Sequence, residues 1–135
     1  MKTINNIKII GVDAGYGNMK TANFCFRTGL TAYDTEPLFT KNMLVYEGHY
    51  YLIGEGHKTY TAEKTLDEDY YILTLAAIAM ELSRERLTEA DVYLSAGLPL
   101  SWVLEQKDAY LDYLLKSKEA EFLFKGVQYR IRMIG

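Results

Sequence analysis

The stretch Ile9-Ile10-Gly11-Val12-Asp13-Ala14-Gly15-Tyr16-Gly17-Asn18-Met19-Lys20 decides the fold. The β-branched run from Ile7 to Val12 is bounded by two asparagines before it and an Asp-Ala-Gly-Tyr-Gly turn after it, which reads as a buried strand. Met19 to Arg27, with a threonine and two phenylalanines, reads as the returning arm of a hairpin. Residues 13–18 therefore form a loop between two strands. Gly15 and Gly17 let its backbone turn tightly and bring N–H groups close to an anion with no Cβ in the way. Phosphate is the natural guest. Lys20 sets an ammonium beside the same phosphates, and Asp13 is placed to hold a hydrated magnesium ion through water.

Two other phosphate loops are excluded by spacing. A Walker loop needs glycine directly before its lysine, where Met19 stands, and a dinucleotide fingerprint needs its third glycine where Lys20 stands. Both also lead into a helix, whereas the residues after Lys20 read as a strand. On the residues alone, an ordinary glycine-rich hairpin accounts for the loop equally well.

Outward from the loop, residues 29–41 are mixed and polar and read as a loop or weak strand. Met43–Tyr46 and His49–Ile53 flank Glu47-Gly48 as a second tight hairpin. A helix is expected from Asp67 to about Arg86, with Tyr71, Ile72, Leu75, Ile78, Ala79 and Leu82 on one apolar face. A strand over Asp91–Gly97 follows, then Gly97-Leu98-Pro99 and a Ser101-capped helix to about Ser117. Residues 121–133 alternate apolar and polar around Gly126, a last hairpin with one solvated face. The order of elements is that of an α/β domain with a mixed sheet.

At 135 residues and 49% hydrophobic content, the chain is sized for one domain with a sizeable core. A formal charge of −3 argues against direct contact with nucleic acid. The longest apolar run, Ile72 to Met80, falls short of the ~20 residues that cross a bilayer, so no membrane partner is expected. The amino terminus lacks the apolar stretch of a signal peptide, and the lone Cys25 suits a reducing cytoplasm. Between Phe24 and Phe26, Cys25 reads as a small buried hydrophobe. His49 and His57 with Glu47 and Glu55 read as solvated surface rather than a metal site, and most of the twelve tyrosines read as packing.

Val12-Asp13-Ala14-Gly15-Tyr16-Gly17-Asn18-Met19-Lys20 resembles the first phosphate motif of the ParM and StbA group of actin-like ATPases, within the actin, sugar-kinase and heat-shock chaperone superfamily. Residues 91–100 look like the strand and Leu-Pro turn that the group places after its first long helix, and Val127–Met133 like the next strand pair. The resemblance spans nearly the whole chain. It implies a ribonuclease H-like mixed-sheet domain covering residues 1–135, the amino-terminal domain of an actin-like ATPase cut off before the second half of its nucleotide site. Gly15, Gly17, Asn18 and Lys20 would bind nucleotide phosphate, and Asp13 would organise magnesium through water. The implied cofactors are ATP and Mg2+, with no catalytic residue assignable here. The implied activity is ATP-driven self-association into filaments that segregate plasmid DNA through a DNA-bound adaptor protein. The complete protein would hydrolyse ATP, and this chain alone would be inactive. Two alternatives remain: a sugar- or acetate-kinase-like phosphotransferase, and a non-catalytic interaction domain of the same fold.

Overall fold

A computed structural model describes residues 1–15, 17–33, 35–36, 42–54, 68–97 and 119–134. Its strands obey the period of two that pleating imposes. In β2 (Ile7–Ala14), Ile10, Val12 and Ala14 are buried while Gly11 and Asp13 are exposed on the other face. The short β1 (Lys2–Ile4) pairs antiparallel with β2, a strand the sequence reading missed. Asn5 and Asn6, taken there as a boundary, form the hairpin turn between the two with φ of 51° and 67°. Asparagine is among the few residues that accept this region without large strain.

The returning arm is two strands, not one. β3 (Asn18–Lys20) pairs with β2, and β4 (Cys25–Arg27) folds back antiparallel on β3. The break is local: the Thr21 N–H donates to the Phe24 carbonyl at 2.8 Å, and the Phe24 N–H donates to Thr21 Oγ1 at 3.1 Å. Cys25 is exposed, contrary to the sequence expectation, because Phe26 takes the inward position on this short edge strand. β5 (Leu30–Tyr33) makes part of the polar stretch, read as a loop or weak strand, a strand. β6 (Met43–Tyr46) and β7 (His49–Ile53) form the expected hairpin, as do β9 (Glu119–Phe124) and β10 (Val127–Met133). Between them in sequence lie α1 (Glu68–Arg84) and β8 (Glu89–Gly97). The expected helix over residues 101–117 and the Leu98-Pro99 turn lie outside the described residues.

The strands join in the order β4-β3-β2-β8-β10-β9-β6-β7-β5, with β1 beside β2. β8 runs parallel to both β2 and β10, and the remaining pairs are antiparallel, so the sheet is mixed as expected. Its two ends, β4 and β5, are separated in the chain only by Thr28 and Gly29. Two residues reach no more than about 11 Å between flanking Cα atoms, so the sheet must curl until its ends approach. The Gly54 N–H donates to the Gly29 carbonyl at 2.7 Å and pins this closure.

α1 is buried on more than its expected face. The sequence placed one apolar face on this helix, yet Leu73, Ala76 and Ala77 are as fully buried as Leu75, Ile78 and Leu82. The sheet reaches α1 from β2, β3 and β6 together. Ile10, Val92, Phe122 and Ile131 from the strands share one buried core with it, each such side chain contributing about 1.5–3 kcal/mol by burial. On the outer face, Arg132 makes a two-pronged pair with Asp91, Nε to Oδ1 at 3.0 Å and Nη2 to Oδ2 at 2.7 Å.

Candidate functional site

The hairpin β2–β3 brings the sequence-predicted residues together. Asp13 and Lys20 are direct cross-strand partners, and on its other side Asp13 is in register with Gly97 of β8. Asp13 thus stands at the carboxyl ends of the parallel strands β2 and β8, where open α/β sheets place their ligands, with Lys20 opposite it on β3. Both side chains are exposed, and neither makes a hydrogen bond or ion pair with the described residues. Two opposite charges held adjacent but not consumed by each other suit a ligand that carries both signs, as a magnesium nucleotide does. Gly11, Val12, Asp13, Lys20, Thr21 and Ser95 line an open depression of about 260 Å³ at this spot. A larger one, about 390 Å³, lies around Asp91 and Arg132, but its charges already neutralise each other.

The turn is tight because its two ends bond directly. The Gly15 N–H donates to the Asn18 carbonyl at 3.0 Å, and a Cβ on Gly15 would stand 2.9 Å from that same oxygen. Gly17 differs, since a Cβ there would meet nothing within 4 Å. Its lack of a side chain keeps the approach to the loop open. Tyr16 lies outside the described residues.

Two residues that the sequence reading did not single out hold this hairpin. Thr28, buried at 6% exposure, donates its hydroxyl to the Gly15 carbonyl at 2.9 Å and its N–H to the Gly17 carbonyl at 3.0 Å. No local pattern marks it, because its partners lie more than ten positions earlier. The second is Glu81 on α1, 1% exposed. It accepts from Thr21 Oγ1 at 3.0 Å, from Asn23 Nδ2 at 3.0 and 3.2 Å, and from the Met1 ammonium at 3.4 Å. Burial works to raise its pKa; the bonds from Asn23 and Thr21 and the nearby ammonium outweigh it and hold the carboxyl below its ordinary value. A charged residue inside the apolar run Ile78-Ala79-Met80-Glu81-Leu82 was the available signal. The residue after Lys20 is thereby fastened to the helix.

As to metal, no group of three or more His, Cys, Asp or Glu is gathered among the described residues. The exposed carboxylate of Asp13 is the kind of donor that magnesium touches through water, since magnesium keeps several of its waters. His49 is exposed, and His57 and Glu55 lie outside the described residues. No helix among the described residues is long and apolar enough to cross a membrane.

A curled mixed sheet around a buried helix, with a glycine hairpin presenting Asp13 and Lys20 at the ends of its parallel strands, defines the first domain of an actin-like fold. Residues 11–134 match the family described as actin-like proteins, N-terminal domain, and the chain belongs to that family. No curated protein matches it by sequence. Among solved structures it is similar to the apo ParM protein of pSK41, with a TM-score of 0.71 and 14% identity, covering 96% of this chain and 48% of that one. The Alp12 filament structure gives 0.66 and 22%, covering 96% and 45%. ParM of Bacillus thuringiensis with AMPPNP gives 0.66 and 14%, covering 96% and 44%. The chain thus spans about half the length of these relatives.

Proposed function

We propose that this chain supplies the first, phosphate-gripping half of the nucleotide site of an actin-like ATPase that polymerises with ATP to segregate plasmid DNA. The observation that carries the reading is the β2–β3 hairpin, in which Asp13 and Lys20 are cross-strand partners beside the Gly15–Gly17 turn. Lys20 neutralises phosphate charge, Gly15, Gly17 and Asn18 present the loop backbone, and Asp13 orients magnesium through water. The nucleotide and the filament named for the similar structures support the same reading. Because the chain spans about half of such proteins, hydrolysis and polymerisation belong to the product of the native gene, not to these 135 residues alone. A DNA-bound adaptor would then couple filaments to plasmid, in a cytoplasmic setting.

The test is nucleotide binding and sedimentation of the native gene product. Mg·ATP should bind and drive the protein into the pellet, and Lys20→Ala should weaken binding by about tenfold or more, the loss of a charge-assisted contact. Unchanged affinity in Lys20→Ala would remove the phosphate assignment. Phosphoryl transfer to a sugar or acetate, with no ATP-dependent pelleting, would replace the filament reading with a kinase one.

A further inference from the structure

We infer that Thr28 is the positioning residue that prepares the β2–β3 loop for phosphate, an inference that rests on the phosphate reading of that loop. The hairpin closes through the Gly15 N–H and the Asn18 carbonyl. In an ordinary tight hairpin the reciprocal bond runs from the Asn18 N–H to the Gly15 carbonyl, the two residues exchanging both bonds. Here that carbonyl is occupied by the Thr28 hydroxyl at 2.9 Å. No bond runs from the Asn18 N–H to that carbonyl, and with Gly17 and Thr28 bonded, the neighbouring pair Asn18–Arg27 falls at a non-bonded position of the β3–β4 ladder, so this N–H does not point to β4 either.

The backbone N–H of Thr28 takes the Gly17 carbonyl at 3.0 Å. Because the peptide unit is planar and trans, holding the Gly17 carbonyl toward Thr28 turns the Asn18 N–H to the opposite side. One buried threonine therefore does two things. It draws two carbonyl dipoles, which would repel a phosphate, back into the protein, and it frees a backbone donor at the loop surface.

The position of Thr28 in the chain adds to its reach. It is the first of the two residues that join β4 to β5, and the next residue, Gly29, accepts from the Gly54 N–H where the curled sheet closes. The loop's geometry is thus set from the seam of the sheet rather than from the hairpin itself.

The experiment measures affinity for Mg·ATP and for adenosine, with thermal melting, on the native gene product and on Thr28→Val, Thr28→Ala, Thr28→Ser and Lys20→Ala. Loss of the hydroxyl in Thr28→Val is expected to weaken Mg·ATP about five- to tenfold, to leave adenosine affinity unchanged, and to be rescued by Thr28→Ser to within about twofold. If Thr28→Val does not fold, Thr28→Ala is read in its place, since it deletes the hydroxyl without forcing a new methyl into the buried site. A hydroxyl-free variant that binds Mg·ATP like the parent overturns the inference. So does one that loses ATP and adenosine in equal proportion, the mark of a merely structural role, or a Thr28→Ser variant as weak as Thr28→Val. A parent protein that binds no Mg·ATP, or a Lys20→Ala variant that binds it normally, overturns the phosphate reading and this inference with it. Normal Lys20 dependence with silent Thr28 variants overturns this inference alone.

Discussion

Gly15 and Gly17 look alike in the sequence, but the structure asks different things of them. A Cβ on Gly15 would press on the Asn18 carbonyl at 2.9 Å, so Gly15→Ala is expected to lower stability by about 1–3 kcal/mol, the range for a forced local shift. Gly17→Ala meets nothing within 4 Å and should melt like the parent, yet it places a methyl on the open approach to the loop and should weaken Mg·ATP binding. Melting curves and titrations on the two variants separate the roles, and a stable Gly15→Ala would sink the steric argument. Glu81 gives a pH signature. Its folded-state pKa lies below the ordinary 4.5, so the unfolded chain binds more protons in that interval and stability rises with pH across it. The contribution is complete above the unfolded value and fades as pH falls through the lowered folded one. Glu81→Gln, which gives up the charge facing Thr21, Asn23 and the Met1 ammonium, is expected to cost about 1–3 kcal/mol at neutral pH. In denaturant melts followed over pH, the gap between parent and variant should close in acid. A constant gap would mean that Glu81 is not held charged in the fold.

Three hairpin turns place a residue other than glycine in the left-handed region, and their strain is measurable at the level of the element. Asn5-Asn6, Glu47-Gly48 and Lys125-Gly126 all have positive φ at both positions, which matches the right-handed twist of the flanking strands. Gly126, at φ of 78° with open space around it, should tolerate alanine only at a conformational cost of about 1–2 kcal/mol. Glu47, exposed and at φ of 49°, should gain a few tenths of a kcal/mol on replacement by asparagine. Equilibrium unfolding of Glu47→Asn and Gly126→Ala checks both signs, and a destabilised Glu47→Asn would contradict the turn geometry. The same turns show what was legible in advance. Glu47-Gly48 and Lys125-Gly126 announced their hairpins because alternating apolar residues flank a glycine, whereas Asn5-Asn6 follows a short, polar, fully exposed β1 with no apolar pattern to reveal it. The Asp13–Lys20 pairing was readable from spacing, since both ends of the loop are strands. Thr28 was not, because its role depends on β4 folding back on β3 and bringing a residue from beyond the hairpin onto the loop. Cys25 was misread for a related reason: one position of phase in a strand of three residues decides inside from outside.

For the molecule as a whole, the decisive fact is how completely α1 is buried. A helix against a flat sheet keeps one face in water, but here Tyr70 to Ala79 are all buried, including Leu73 and Ala77 on the side away from the expected face. The small residues Ala76, Ala77 and Ala79, all at 0% exposure, let neighbouring parts of the chain approach the helix closely. Such a helix cannot reach solvent by fraying of one neighbour, because β2, β3 and β6 all touch it and they come from distant parts of the sheet order. Its amide hydrogens should therefore exchange only through global opening, with a free energy equal to that of complete unfolding, together with the central pair β2 and β8. β4 and β5, short strands at the two ends of the path, should open locally and exchange at lower free energy. Native-state hydrogen exchange at several denaturant concentrations reads this order directly. If α1 amides exchanged before those of β5, the closure at Thr28 and Gly29 would not hold the sheet around the helix. The loop between Asp13 and Lys20 would then rest on a mobile seam, and Mg·ATP would be expected to slow exchange in β4 and β5 as it drew that seam shut.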